Sequence, residues 1–217
     1  MSLAVACATV LRGPEKFLAA YSRASRRAPL AVAFGTCYAK GSAADVVTQL
    51  YEGTEWANLN WKRNVTFALF SGVYLGIGQH FVYNVWFQRW LGAGSDWITV
   101  GKKVAADSFI HTPLMYLPLY FVHKAVCEGK SPVAGLRRYA KEGPETLVAY
   151  WRMWPAFHAM NFAFTPIECR IGAIAGFSFL WLMVLSFLSH RGGVEAVPLP
   201  TEVDLVCALG AQQAAAY

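Results

Sequence analysis

With 217 residues, 56% of them hydrophobic and only 15% charged, the chain carries far less charge than the roughly 25% usual in soluble domains, which points to a membrane. Its formal net charge of +6 comes from basic residues dispersed over loops, with no stripe interleaved with aromatics, so no nucleic-acid partner is expected. Five cysteines, at 7, 37, 127, 169 and 207, show no CxxC and no Cys/His cluster at zinc spacing. Neither a disulfide framework nor a metal site is expected.

The fold class expected is all-α: a polytopic transmembrane helix bundle with four to five crossing helices, because the apolar runs are long and lack the alternating ten-residue pattern of a barrel. Residues 1–29 form a basic leader, with Arg12, Lys16, Arg23, Arg26 and Arg27 against Glu15. This acid-poor stretch resembles a mitochondrial address, although Gly13-Pro14 is expected to interrupt any amphipathic helix there. A matrix-side or cytoplasmic placement beside anionic headgroups explains the same charges.

The helical domain expected over 30–190 begins with a span from Leu30 to Tyr51, rich in small residues that favour close packing. A second span, about Val65 to Phe87, carries Gly72 and Gly76 at GxxxG spacing. The stretch "WLGAGSDW" then reads as an interfacial turn, with Trp90 and Trp97 at headgroup level. A third span, about Val104 to Cys127, should be kinked at Pro113 and Pro118. Lys130 to Lys141 reads as a polar connection with a short interfacial helix. Two apolar blocks follow, about Glu145 to Thr165 and Ile167 to Leu188, divided at Pro166. Residues 191–217 form a C-terminal extension.

Charged residues inside these spans cost roughly 2.5–3.5 kcal/mol each at a helix centre, so they should face protein or water. Asp45 with Gln49, and Asp107 with His111, lie four residues apart and share helix faces. His80, Arg152, Asn161, Glu168 and Arg170 complete the set. The first reading is a structural clamp, with Arg152 or Arg170 paired to Asp45 or Asp107. The second is that these residues line a hydrated path between helices. No HExxH, GxSxG, Walker loop or dinucleotide glycine pattern occurs, so no catalytic residue, cofactor or enzymatic activity is expected.

The order Trp151-x-x-Trp154-Pro155, Asn161-Phe162, Pro166, Arg170, and then Trp181 before Leu185-Ser186, resembles the C-terminal hallmark of the Mpv-seventeen and peroxisomal-membrane-protein (Mpv/PMP) family. Weaker echoes upstream are Pro29 before Asp45-x-x-x-Gln49, Gly76-x-x-x-His80-x-x-Tyr83, and Lys103-x-x-x-Asp107 followed by Pro113. Ala44-Asp45, Gly76-Ile77, Val82 and Asp107-Ser108 depart from the family pattern and mark a divergent member. The resemblance implies a pore-forming or homeostatic protein of the mitochondrial inner membrane, with the peroxisomal membrane as the alternative location. In this reading Asn161 and Arg170 satisfy helix partners, chiefly Asp45 and Asp107. Expected partners are membrane lipids and either a homo-oligomer or a larger inner-membrane complex. The extension past the family pattern suits a second role, as a non-catalytic accessory subunit of a respiratory-chain or ATP-synthase assembly.

Overall fold

The computed structural model describes the backbone of residues 3–191 and the side chains of residues 15–180. Among the described residues the chain is all-helical, with no strand. We label the helices α1 (Leu3–Arg27), α2 (Pro29–Tyr51), α3 (Trp61–Trp90), α4 (97–127), α5 (Pro132–Phe164) and α6 (Arg170–Arg191). Residues 192–217, nearly all of the expected C-terminal extension, lie outside the described residues, as do the side chains of Trp181, Leu185 and Ser186.

Three starts and three stops follow one local logic. Asn60, Asp96 and Ser131 each accept a hydrogen bond from the backbone N–H three residues on, at 3.0, 3.0 and 3.3 Å, and so satisfy a donor that the first turn of α3, α4 or α5 leaves orphaned. Gly53, Gly92 and Gly129 lie two residues beyond the ends of α2, α3 and α4 with φ of 85°, 107° and 74°, the left-handed conformation that closes a helix and that residues with a Cβ rarely adopt. Consecutive helices therefore run antiparallel. One face of the bundle carries the α1–α2 junction, the 91–96 loop and the 165–169 turn; the other carries the 52–60 and 128–131 loops.

Proline and glycine stop the chain less often than their sequence positions suggest. Gly13-Pro14 lies inside the continuous α1, and Gly143-Pro144 lies inside α5, so the expected interruption of the leader and the expected separate helix near Lys141 are both corrected. A proline removes one donor and crowds one turn, and the turns on either side keep their own bonds. Pro113 sits in a wide π-helical segment, Asp107–Tyr116, one of three such segments among the described residues with Ser71–Gly78 and Phe81–Trp86. The widened turns accommodate the ring without ending the helix.

Packing is closest between α2 and α3, where glycines let the backbones meet. A Cβ on Gly76 would lie 2.7 Å from the Ala33 carbonyl oxygen, and one on Gly41 would lie 2.5 Å from Ser71 Cβ. The main core joins Cys37, Tyr83, Phe87, Val100, Tyr150, Trp154, Phe162 and Ile174 across α2, α3, α4, α5 and α6. Among the described residues α3 alone is both long and apolar enough to cross a membrane by length and composition. Exposed Trp56 and Trp61 stand at its first end and Trp90 and Trp97 at its second, as rings suited to headgroup level do.

Candidate functional site: a buried polar centre

Asp107 is fully buried at the middle of the bundle. Tyr83 of α3 donates to its Oδ1 at 2.7 Å, and Tyr150 of α5 donates to Oδ2. His111, one turn along α4, places Nδ1 2.8 Å from Oδ1, and His158 of α5 brings Nε2 to 3.6 Å from Oδ2. Tyr74 closes the ring through its hydroxyl, 3.1 Å from His111 Nε2. One carboxylate thus ties α3, α4 and α5 together, with its lone pairs used as a buried anion requires.

A second group lies toward the face with the 52–60 loop. Asp45 Oδ1 is 3.0 Å from Arg63 Nε, and Gln49 and Asn64 donate to Oδ2 at 2.7 and 3.3 Å. Gln49 Oε1 accepts the Asn60 N–H at 2.7 Å, and Arg63 extends to Glu52 at 2.7 Å. This set fastens α2 to the first turn of α3.

Arg170 behaves differently from the expectation that it meets Asp45 or Asp107. Its Nε and Nη2 donate to the Thr165 and Phe162 carbonyls at 3.4 and 3.2 Å, and Asn161 Nδ2 donates to the Arg170 carbonyl at 3.5 Å. The last carbonyls of a helix lack intrahelical donors and carry its negative end, so a guanidinium there caps α5. Arg152 is exposed and has no carboxylate partner among the described residues. The helical period turns Tyr150, Trp154, His158 and Asn161 inward and leaves Arg152 outside. Half-buried His80 meets Asn84 at 3.2 Å and stands apart from the Asp107 group. Glu168 is held by Arg26 and by Ser22 at 2.9 Å, at the end of α1.

The hallmark residues serve the same centre. Trp154 stacks on Tyr150 and His158, and Phe162 fills the space beside Tyr83 and Phe87 with no exposure. Trp151 donates its indole N–H to the Ser108 carbonyl at 3.0 Å. Pro155 stays within α5, and Pro166 precedes the short turn Ile167–Cys169. Sequence reasoning missed Tyr83, Tyr150 and His158 as partners of Asp107, Tyr74 as the partner of His111, and Arg63 as the partner of Asp45. A tyrosine hydroxyl deep in an apolar span needs an acceptor, which was the available signal.

Beside Asp107 lies a cavity of about 40 Å³ whose lining includes Lys40, Gln79, His111, Tyr150, His158 and Ser178. Gln79 Oε1 and His158 Nδ1 are buried there without a hydrogen-bond partner. A second cavity, of about 80 Å³, shares Lys40, Leu75 and Tyr116 with the first and extends to Asp45 and Arg63. Lys40 also lines a larger groove between α1, α2 and α6.

An apolar, all-helical bundle with a shielded carboxylate at its centre is an arrangement that a membrane tolerates. The chain is similar to the Mpv17 / PMP22 family, whose model matches residues 125–186. Protein SYM1 of Kluyveromyces lactis is 31% identical over 94 residues, 43% of this chain and 48% of that protein. The peroxisomal membrane protein PMP22 of Arabidopsis thaliana is 26% identical over 144 residues, 66% of this chain and 74% of that one. The mitochondrial inner membrane protein Mpv17 of Caenorhabditis briggsae is 25% identical over 171 residues, 78% and 91% of the two chains. The chain spans about half the length of the SYM1 proteins it matches. Inner mitochondrial and peroxisomal membranes are the two locations the sequence leads one to expect. No solved structure matches.

Proposed function

We propose that the chain is a non-catalytic, pore-forming protein of the mitochondrial inner membrane, with α2 to α6 as five crossing helices. At about 1.5 Å per residue each of these helices is long enough for roughly 30 Å of hydrocarbon. The polar residues that lower the apolar character of α2, α4 and α5 largely face one another inside the bundle, where a membrane tolerates them.

The observation that carries the pore reading is the pair of unpartnered atoms, Gln79 Oε1 and His158 Nδ1, in a cavity beside Asp107. Buried polar atoms need partners, and a space of this size with such atoms on its wall admits water. The adjoining cavity carries the hydrated line past Leu75 toward Asp45 and Arg63. Purified protein in planar bilayers should pass discrete currents, and Leu75→Trp, placed where the two cavities meet, should reduce them severalfold. Silent bilayers containing folded protein would reject the pore. The second reading, an accessory subunit of a larger inner-membrane complex, draws on the extension beyond 190, and native electrophoresis of solubilised membranes tests it. Co-migration with a respiratory or ATP-synthase assembly supports the subunit, and a monomer or small homo-oligomer supports the pore.

A further inference from the structure

We infer that the groove between α1, α2 and α6 is a binding site for an anionic phospholipid, with an acyl chain in the groove and the phosphate at the arginine-rich end of α1. The groove has a volume of about 780 Å³ and is mostly apolar. From Cys169 to Phe179 it follows α6 for about 15 Å, at about 1.5 Å per residue. Ala39, Ala43, Ala173 and Gly176 give it the smooth wall that a flexible hydrocarbon chain needs. Lys40 closes the deep end, where the groove meets the internal cavity.

Charge selects the headgroup. Ser22, Thr165, Pro166 and Cys169 line the end of the groove that reaches the face with the α1–α2 junction. That face carries Arg23, Arg26, Arg27, Arg89, Lys102, Lys103 and Arg170 against Asp96 and Glu168, seven basic residues to two acidic. The opposite face has seven basic residues too, Lys62, Arg63, Lys124, Lys130, Arg137, Arg138 and Lys141, but five acids offset them: Glu52, Glu55, Glu128, Glu142 and Glu145. Only the first face therefore offers a clear excess for an anionic headgroup. Arg26 hydrogen-bonds Ser22 at the groove's mouth and is already matched to Glu168. Arg23 and Arg27, one turn apart on the same helix end, are exposed and have no partner among the described residues. They remain for a phosphate.

The inference rests on membrane placement and is independent of conduction. The test uses the full chain in phosphatidylcholine nanodiscs, titrated with phosphatidylglycerol of the same acyl chains and read by native mass spectrometry. Wild type should retain one phosphatidylglycerol per chain, with a severalfold preference over phosphatidylcholine. Gly176→Phe should lose the retained lipid while melting as wild type does, because a Cβ at Gly176 meets nothing within 4 Å and the ring would occupy the groove. Replacing Arg23 and Arg27 together by Gln should abolish the headgroup preference and leave chain binding. Equal retention of both lipids by wild type, full retention by folded Gly176→Phe, or a stoichiometric protein in place of the lipid would each overturn the site, whether or not the protein conducts.

Discussion

At the scale of single residues, Asp107 and Arg170 show how two buried charges in one bundle reach different solutions. Asp107 is satisfied by side chains from three helices, whereas Arg170 is satisfied largely by backbone carbonyls at the end of its neighbour. Asp107→Ala should therefore lower unfolding stability in detergent by about 3–5 kcal/mol, because it removes at once the acceptor shared by two tyrosine hydroxyls and a histidine pair on three helices. Arg170→Gln leaves no carboxylate bereft, so its loss should be nearer 1–2 kcal/mol, the value of capping hydrogen bonds from a charged donor. Thermal or denaturant unfolding followed by circular dichroism measures both. A loss for Arg170→Gln as large as that for Asp107→Ala would mean that the arginine balances a buried charge after all. The sequence singled out Asp45, Gln49, Asp107 and His111, since intramembrane charges are rare, and missed the tyrosines, His158 and Arg63 that meet them. It could not pair them, because a carboxylate accepts tyrosine, histidine or arginine equally well, and only the packing of α3, α4 and α5 decides.

Among the elements, the ends of the apolar runs were legible and the capped starts were not: the spans expected from about Val65, Val104 and Glu145 begin at Trp61, Trp97 and Pro132, just after Asn60, Asp96 and Ser131. The GxxxG pair of α3 also acts as its spacing suggests: Gly76 abuts the backbone of Ala33, and Gly72 abuts the ring of Phe34. Gly76→Ala should force α2 and α3 apart and lower the melting temperature, while Gly35→Ala, where a Cβ meets nothing within 4 Å, should be neutral or gain about 0.5–1 kcal/mol from helix propensity. Equal melting of the two variants would remove close approach as the reason for Gly76. What the sequence concealed is continuity, since Gly13-Pro14 and Gly143-Pro144 look like breaks and are not. The cap of α4 gives an acid dependence whose sign is fixed. The Thr99 N–H holds the Asp96 carboxyl below the usual carboxylate range, so its stabilisation is complete above the unfolded value of about 3.9 and is lost as pH falls through the lower folded value. Asp96→Ala should remove that part of the acid limb in a stability-versus-pH series, and an unchanged limb would assign it to other carboxylates.

For the whole molecule, length and hydropathy reveal a helical bundle, and the hallmark around α5 reveals the family resemblance, but neither reveals that the polar residues converge on one centre with cavities beside it. The convergence depends on wide π-helical turns that bring Asp107, Tyr74 and Tyr83 into register, and single-sequence periodicity does not anticipate them. The account's central claim is that this centre is wet in the membrane. Cys37 is buried in α2 and lines the cavity, so it reports on the claim directly. A variant keeping Cys37 and replacing the other four cysteines by Ser, reconstituted in liposomes, should react with a small, water-soluble, membrane-impermeant thiol reagent, and Leu75→Trp should slow that reaction several-fold. Cys37 that stays unmodified in the folded, reconstituted protein, yet labels fully after denaturation, would contradict a hydrated interior.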